Sequence, residues 1–185
     1  MSGFGLFTAW RKRVIDRRRR DGQRVGHMTF TYVLFLAFVI GVLTGLRSLT
    51  APAATAWAAR LAWLKLTSPL AWLGALPTVI VFTLAALGEL VGDKLPKSPS
   101  RTAPPGLIAR ILMGALCGAA VCMAGTHEGW TSGAVVGAIG GIVGCYGGYQ
   151  GRTRLVKALG TPDYVVAVVE DLVAIGGSLW VVSRF

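Results

Sequence analysis

The sequence predicts an all-α fold, a polytopic helix bundle in a membrane. Three observations carry this. Hydrophobic residues make up 54% of the 185 residues and charged ones only 15%. Mean hydropathy is +0.60, too apolar for a soluble surface of this size. The apolar residues also fall in six separate stretches, and about 20 of them in a row span the roughly 30 Å of a bilayer core. This leaves a basic N-terminal arm at 1–27 and a single transmembrane domain at 28–185.

The arm precedes the first stretch. Eight of the nineteen basic residues lie between Arg11 and Arg24. Basic clusters beside a membrane segment mark the cytoplasmic side and attract anionic lipid headgroups. The formal net charge of +11 is therefore read as membrane orientation, and no nucleic-acid partner is expected. Phe4, Leu6, Phe7 and Trp10 allow the arm to lie on the membrane as a short amphipathic helix, and a disordered arm fits as well.

The first stretch, Met28 to Leu46, exceeds a signal-peptide core and reads as a retained anchor. The second, Pro52 to Leu66, is short and carries Arg60 and Lys65. Ser68-Pro69 opens the third, to about Val91, as N-cap and N1 residues. The fourth runs from Gly106 to Gly125, the fifth from about Thr131 to Gln150, and the sixth from Pro162 to Val182. Thr161-Pro162-Asp163 has the pattern of a helix start.

Loop charge separates two topologies. If all six stretches cross, the loops holding Lys94, Lys97 and Arg101, and Arg152, Arg154 and Lys157, lie opposite the basic arm. If segment 52–66 is re-entrant or interfacial, both loops join the arm in the cytoplasm, as the positive-inside rule prefers. Five crossings plus one short re-entrant or interfacial helix is the expectation, with six crossings as the alternative. An inverted three-plus-three repeat is suggested by Thr50-Ala51-Pro52 against Thr102-Ala103-Pro104, and Glu89-Leu90-Val91 against Glu170-Asp171-Leu172-Val173. Matches this short also arise by chance.

Glycines form stripes. Gly133, Gly137 and Gly141 repeat at i, i+4, with Gly140, Gly144 and Gly148 on an adjacent stripe. Gly41 and Gly45, and Gly114 and Gly118, repeat the spacing elsewhere. Small residues let membrane helices approach closely, so the fifth helix is expected at the centre, touched on two sides. The same stripes permit a homo-oligomer. Cys117, Cys122 and Cys145 have no metal-ligand spacing and read as packing residues, so neither metal nor cofactor is expected.

The functional signal is ionisable. A charge in hydrocarbon costs about 2.5–3.5 kcal/mol. Glu170 falls roughly 12 Å into the sixth helix, near its middle, at about 1.5 Å per residue; Asp171 points about 100° away. Glu89 and Asp93 share a face at the end of the third, with Lys94 beside them. Arg47 ends the first helix and Arg110 sits one turn into the fourth. On one reading Glu170 and Glu89, with Asp171 and Arg47, line a cavity and bind a proton, cation or cationic solute. On the other they pair with Arg47, Arg110 or Lys94 and lock the bundle. Arg47 and Pro52 also bracket a break between helices. Transporters build binding sites at such breaks, though a plain surface turn has the same look.

Gly45-Leu46-Arg47 with Pro52, then Gly88-Glu89-Leu90-Val91-Gly92-Asp93-Lys94-Leu95-Pro96, then Glu170-Asp171-Leu172-Val173-Ala174, resemble an uncharacterised bacterial multi-pass membrane family, domain of unknown function 4126. The resemblance covers about Phe30 to the C-terminus, and E-x-x-x-D-K-x-P, ending at Pro96, is its most specific part. After Pro96 this chain has Lys97-Ser98-Pro99-Ser100-Arg101 where some members are acidic. The resemblance implies a bacterial inner-membrane protein and no activity; the basic arm, which lies outside it, is what places the N-terminus in the cytoplasm.

Two functions follow as expectations. One is a secondary transporter or permease for an ion or small solute, using the intramembrane carboxylates. The other is a scaffold or assembly factor binding a partner or lipid. An enzyme is not expected: His27 and His127 lie at predicted membrane edges, and no nucleophile, zinc or phosphate-loop motif occurs.

Overall fold

The computed structural model describes residues 28–92, 104–126, 129–160 and 163–185. The basic arm, Asp93, Lys94 and Pro96 lie outside them. Six α-helices are described: α1 Phe30–Leu46, α2 Thr50–Arg60, α3 Leu76–Gly92, α4 Pro104–Thr126, α5 Trp130–Leu159 and α6 Asp163–Val182. A single 3-10 turn, Ala71–Gly74, precedes α3. Three helical spans, within α4, α5 and α6, are long and apolar enough to cross a membrane, and α1 and α3 are shorter apolar helices of 17 residues each.

The centre is a glycine seam between α1, α4 and α5. A methyl group on Gly137 would overlap the Gly114 carbonyl and the Gly118 Cα of α4, and one on Gly133 would meet Cys122 and Gly118. On the neighbouring stripe, methyls on Gly140 and Gly144 would overlap the backbone of α1 at Phe38 and Val42. Gly41 and Gly45 of α1 and Gly114 and Gly118 of α4 meet the same α5 backbone. The three backbones therefore touch directly, which only residues without a Cβ permit. Gly133, Gly137 and Gly141 face α4, while Gly140, Gly144 and Gly148 face α1.

Contacts also fix helix direction. Gly41 meets Gly137 and Gly45 meets Gly141, so α1 and α5 are parallel; Gly114 meets Gly137 and Gly118 meets Gly133, so α4 is antiparallel to both. On α6, Gly177 meets Leu43 and Asp171 meets Arg47, again antiparallel to α1. Glu89, near the end of α3, bonds to Ser48 just beyond α1. The turn before α3 buries Leu70 and Leu73 against Ala119, Ala120 and Met123, near the end of α4. So α1 and α3 run the same way.

The expected re-entrant dip would have made α1 and α3 antiparallel. The segment at issue is residues 50–66. Although α2 has only 11 residues, the chain continues past it to Leu64, which is buried in the same apolar cluster as α1, and then to Leu70 and Leu73, which pack near the end of α4. The segment thus leads from one end of the bundle to the other, the arrangement of the six-segment alternative. Directions alternate, so the two three-helix halves are inverted as a repeat would require. Yet α2 has 11 residues and α5 has 30, so the middle elements of the halves are not equivalent.

Two boundaries differ from expectation. The third helix starts at Leu76, not at Pro69, because residues 67–75 form turns that bury Leu70 and Leu73; Pro77 takes the first-turn position. The fifth helix runs nine residues past Gln150 and stops at Gly160, whose φ of 59° and N–H bond to the Val156 carbonyl (3.1 Å) form the C-terminal cap.

Candidate functional site

Between α1 and α2 the helix breaks for three residues. Arg47 is extended (φ −136°, ψ 113°), which ends α1, and Thr50 opens α2 with Pro52 in its first turn. Two helix ends thus meet inside the protein. The last carbonyls of α1 and the first N–H groups of α2 have no partners within their helices.

The charges answer these ends in sign. Glu89 of α3 caps α2: one carboxylate oxygen accepts from the Ser48 N–H (2.8 Å) and the Ser48 hydroxyl (2.6 Å), and the other from the Leu49 N–H (2.9 Å). Arg110 of α4 caps α1: its Nε donates to the Gly45 carbonyl at 3.1 Å, while another nitrogen donates to the Gly106 carbonyl at 3.0 Å. A carboxylate at a helix N-terminus and a guanidinium at a C-terminus both match the helix dipole. Sequence reading singled out Glu89 and Arg110 as charges to be paired with one another's kind. It missed that backbone ends would be their partners. The signal was present: Ser48 and Thr50 before Pro52 mark a helix start facing the protein interior.

Arg47 lies between the two caps. It is fully buried, forms an ion pair with Asp171 of α6, and donates to the Glu89 carbonyl of α3 at 3.3 Å. One side chain at the break therefore ties α1 to both α3 and α6. A desolvated pair of this kind is costly to break from either side.

Glu170 goes elsewhere. It faces α5, with Gly148 beside one oxygen and Arg152 at 3.8 Å from the other. The 100° step between successive helical residues sends Asp171 toward Arg47 at the end of α1 and Glu170 toward Arg152 of α5. Glu170 is not central. Gly148 and Leu46 are its neighbours in depth, so it is level with the end of α1. Past this level α5 continues 11 residues beyond Gly148, about 16 Å at helical rise.

Below the charged cluster lie buried hydroxyls. Thr44 of α1 and Thr55 of α2 are fully buried and bond back to the Ile40 and Ala51 carbonyls at 2.7 and 2.8 Å. The Cys117 thiol of α4 is within hydrogen-bonding reach of both, and buried Ser178 of α6 bonds to the Ala174 carbonyl. Thr50 is buried too, and its hydroxyl has no hydrogen-bond partner. Toward the Phe30 end this polar zone gives way to a dry cluster of Val33, Leu36, Ala37, Leu64, Val121, Val181 and Val182.

The family model for the domain of unknown function DUF4126 matches residues 34–183. This chain belongs to the DUF4126 family. The match begins within α1 and takes in the other five helices whole, and with them Arg47, Glu89, Glu170 and Asp171. The family has no known function. Searches of curated proteins and of solved structures find no match.

Proposed function

We propose that this DUF4126 protein is a multi-pass membrane protein of the bacterial cytoplasmic membrane that passes a small solute or ion between α1, α2, α4 and α6, with the Arg47–Asp171–Glu89 cluster as its gate. The observation that carries the reading is Arg47: a fully buried charge at a helix break, held by two other helices. Broken helices with charged ends are how transporters build polar sites within a bilayer. Thr44, Thr50, Thr55, Cys117 and Ser178 extend that polarity inward, and the apolar cluster beneath closes the far end. The glycine seam makes α1, α4 and α5 one close-packed unit. By contrast α3 buries only Val79 and Ala86 along its length, so it is the element freest to move.

Membrane embedding by six crossings is part of this reading. Large apolar side chains are exposed on α3 (Val81, Leu84, Val91), on α5 (Val135, Ile139) and on α6 (Val169, Leu172), which suits lipid and not water. Exposed Trp63, Trp72 and Trp130 gather near the Phe30 end, and Tyr146 and Tyr149 near the other. Interfacial aromatics mark the two faces of a bilayer, and Trp130 to Tyr149 on α5 spans about 28 Å, close to the hydrocarbon thickness. Eight of the nineteen basic residues lie in the arm that leads into α1, which favours a cytoplasmic N-terminus and contact of the arm with anionic lipid. The reading assigns no catalysis.

A non-transporting scaffold is the second reading. It is favoured by one observation: Glu89, Asp171 and Glu170 each have partners within the chain, as a static lock would. Thiol labelling separates the two. With Cys117, Cys122 and Cys145 replaced by alanine, Thr55→Cys is expected to react with a membrane-impermeant maleimide, and faster when Asp171→Asn weakens the gate. Leu36→Cys, in the dry cluster, is the unreactive control. No reaction at position 55 in either background would leave the scaffold.

A further inference from the structure

Glu89 occupies the end of α2 in the manner of a bound ligand. Its carboxylate spreads both oxygens over the Ser48 and Leu49 donors at 2.6–2.9 Å, and its backbone carbonyl accepts from the Arg47 guanidinium. Its own helix holds it loosely: α3 joins α2 through the Trp57 Nε1–H bond to the Thr83 hydroxyl (3.0 Å) and few buried side chains. Glu89 also leaves one donor unused. Thr50 is 92% buried and its hydroxyl has no hydrogen-bond partner. Thr50 is the first residue of α2, next in sequence to the Ser48 and Leu49 donors, so this hydroxyl lies at the same end of the helix. A buried unpaired hydroxyl is unfavourable, and nothing in the packing of α2 requires a hydroxyl there.

We infer that the N-terminal end of α2 is a receptor for a small carboxylate, that Glu89 is its resident occupant, and that the carboxylate of a carried solute replaces Glu89 when α3 moves aside. The Thr50 hydroxyl gives the incoming group a bond that Glu89 does not make, which is how a free ligand competes with a tethered one. The inference rests on the transport reading for the word "carried". The receptor itself does not.

The test is chemical rescue. The full chain in nanodiscs is compared as wild type, E89A, and E89A with Thr50→Val, in sodium acetate and in sodium chloride of equal ionic strength. Acetate is expected to raise the Tm of E89A by about 3 °C or more over chloride at saturation, wild type by less, and the double variant by less than E89A. Equal shifts in acetate and chloride, or an acetate shift that ignores both positions, would overturn the inference. If E89A does not purify folded, E89Q takes its place under the same two criteria. Rescue with an unreactive Thr55→Cys would keep the receptor and remove transport; a reactive Thr55→Cys without rescue would do the reverse.

Discussion

Among the described residues Arg47 is the largest fully buried side chain, and it carries a charge whose desolvation only partners can offset. Removing one partner strands the other, so Arg47→Met and Asp171→Leu are each expected to cost about 3–5 kcal/mol. The double variant should recover much of that loss, because two apolar side chains then replace the pair. Unfolding of the two single variants and the double variant in mixed micelles measures this. A double variant as unstable as the sum of the singles would show that the pair is not coupled. The ionisable residues themselves were legible, because a charge within an apolar stretch stands out by its cost. Their partners were less so. Arg47 with Asp171 was among the pairings the sequence allowed, but the Glu89 and Arg110 contacts go to backbone groups, which no residue type announces. Depth was illegible too, since counting from Pro162 assumes helices that start level.

At the scale of elements the glycines divide by what a Cβ would meet. Gly137→Ala would drive a methyl into the backbone of α4, which cannot give way as a side chain can. A loss of about 1–3 kcal/mol is expected from the overpacking. Gly147 has open space, so Gly147→Ala should be neutral or stabilising by up to about 1 kcal/mol, the helix-propensity difference. Thermal unfolding of both variants checks the pair, and equal effects would argue against the seam. The i, i+4 spacing made the stripes visible in advance, because a helix repeats its face at that interval. Helix limits were harder. Pro69 and Pro77 both offer a first-turn proline, and only burial of Leu70 and Leu73 decides for the second. Gln150-Gly151-Arg152 looks like an end by polarity, while the helix continues to the left-handed Gly160.

The whole molecule turns on direction. Loop charge argued for a re-entrant segment, yet charge is a preference summed over the chain, and the arm is basic enough to satisfy it alone. Packing of Leu70 and Leu73 against Ala119, Ala120 and Met123 is a constraint that no loop composition reveals. On the proposed six-crossing reading, the α1–α2 break and its charged gate lie at the end of the bundle away from Phe30, and Phe185 lies at the Phe30 end. Everything said of the gate depends on that arrangement. The most direct test is a pair of topology reporters in cells, one fused after Lys97 and one after Phe185. The account predicts that the reporter after Lys97 is external and the one after Phe185 cytoplasmic. A cytoplasmic reporter at 97 with an external C-terminus would mean five crossings, and would contradict the account.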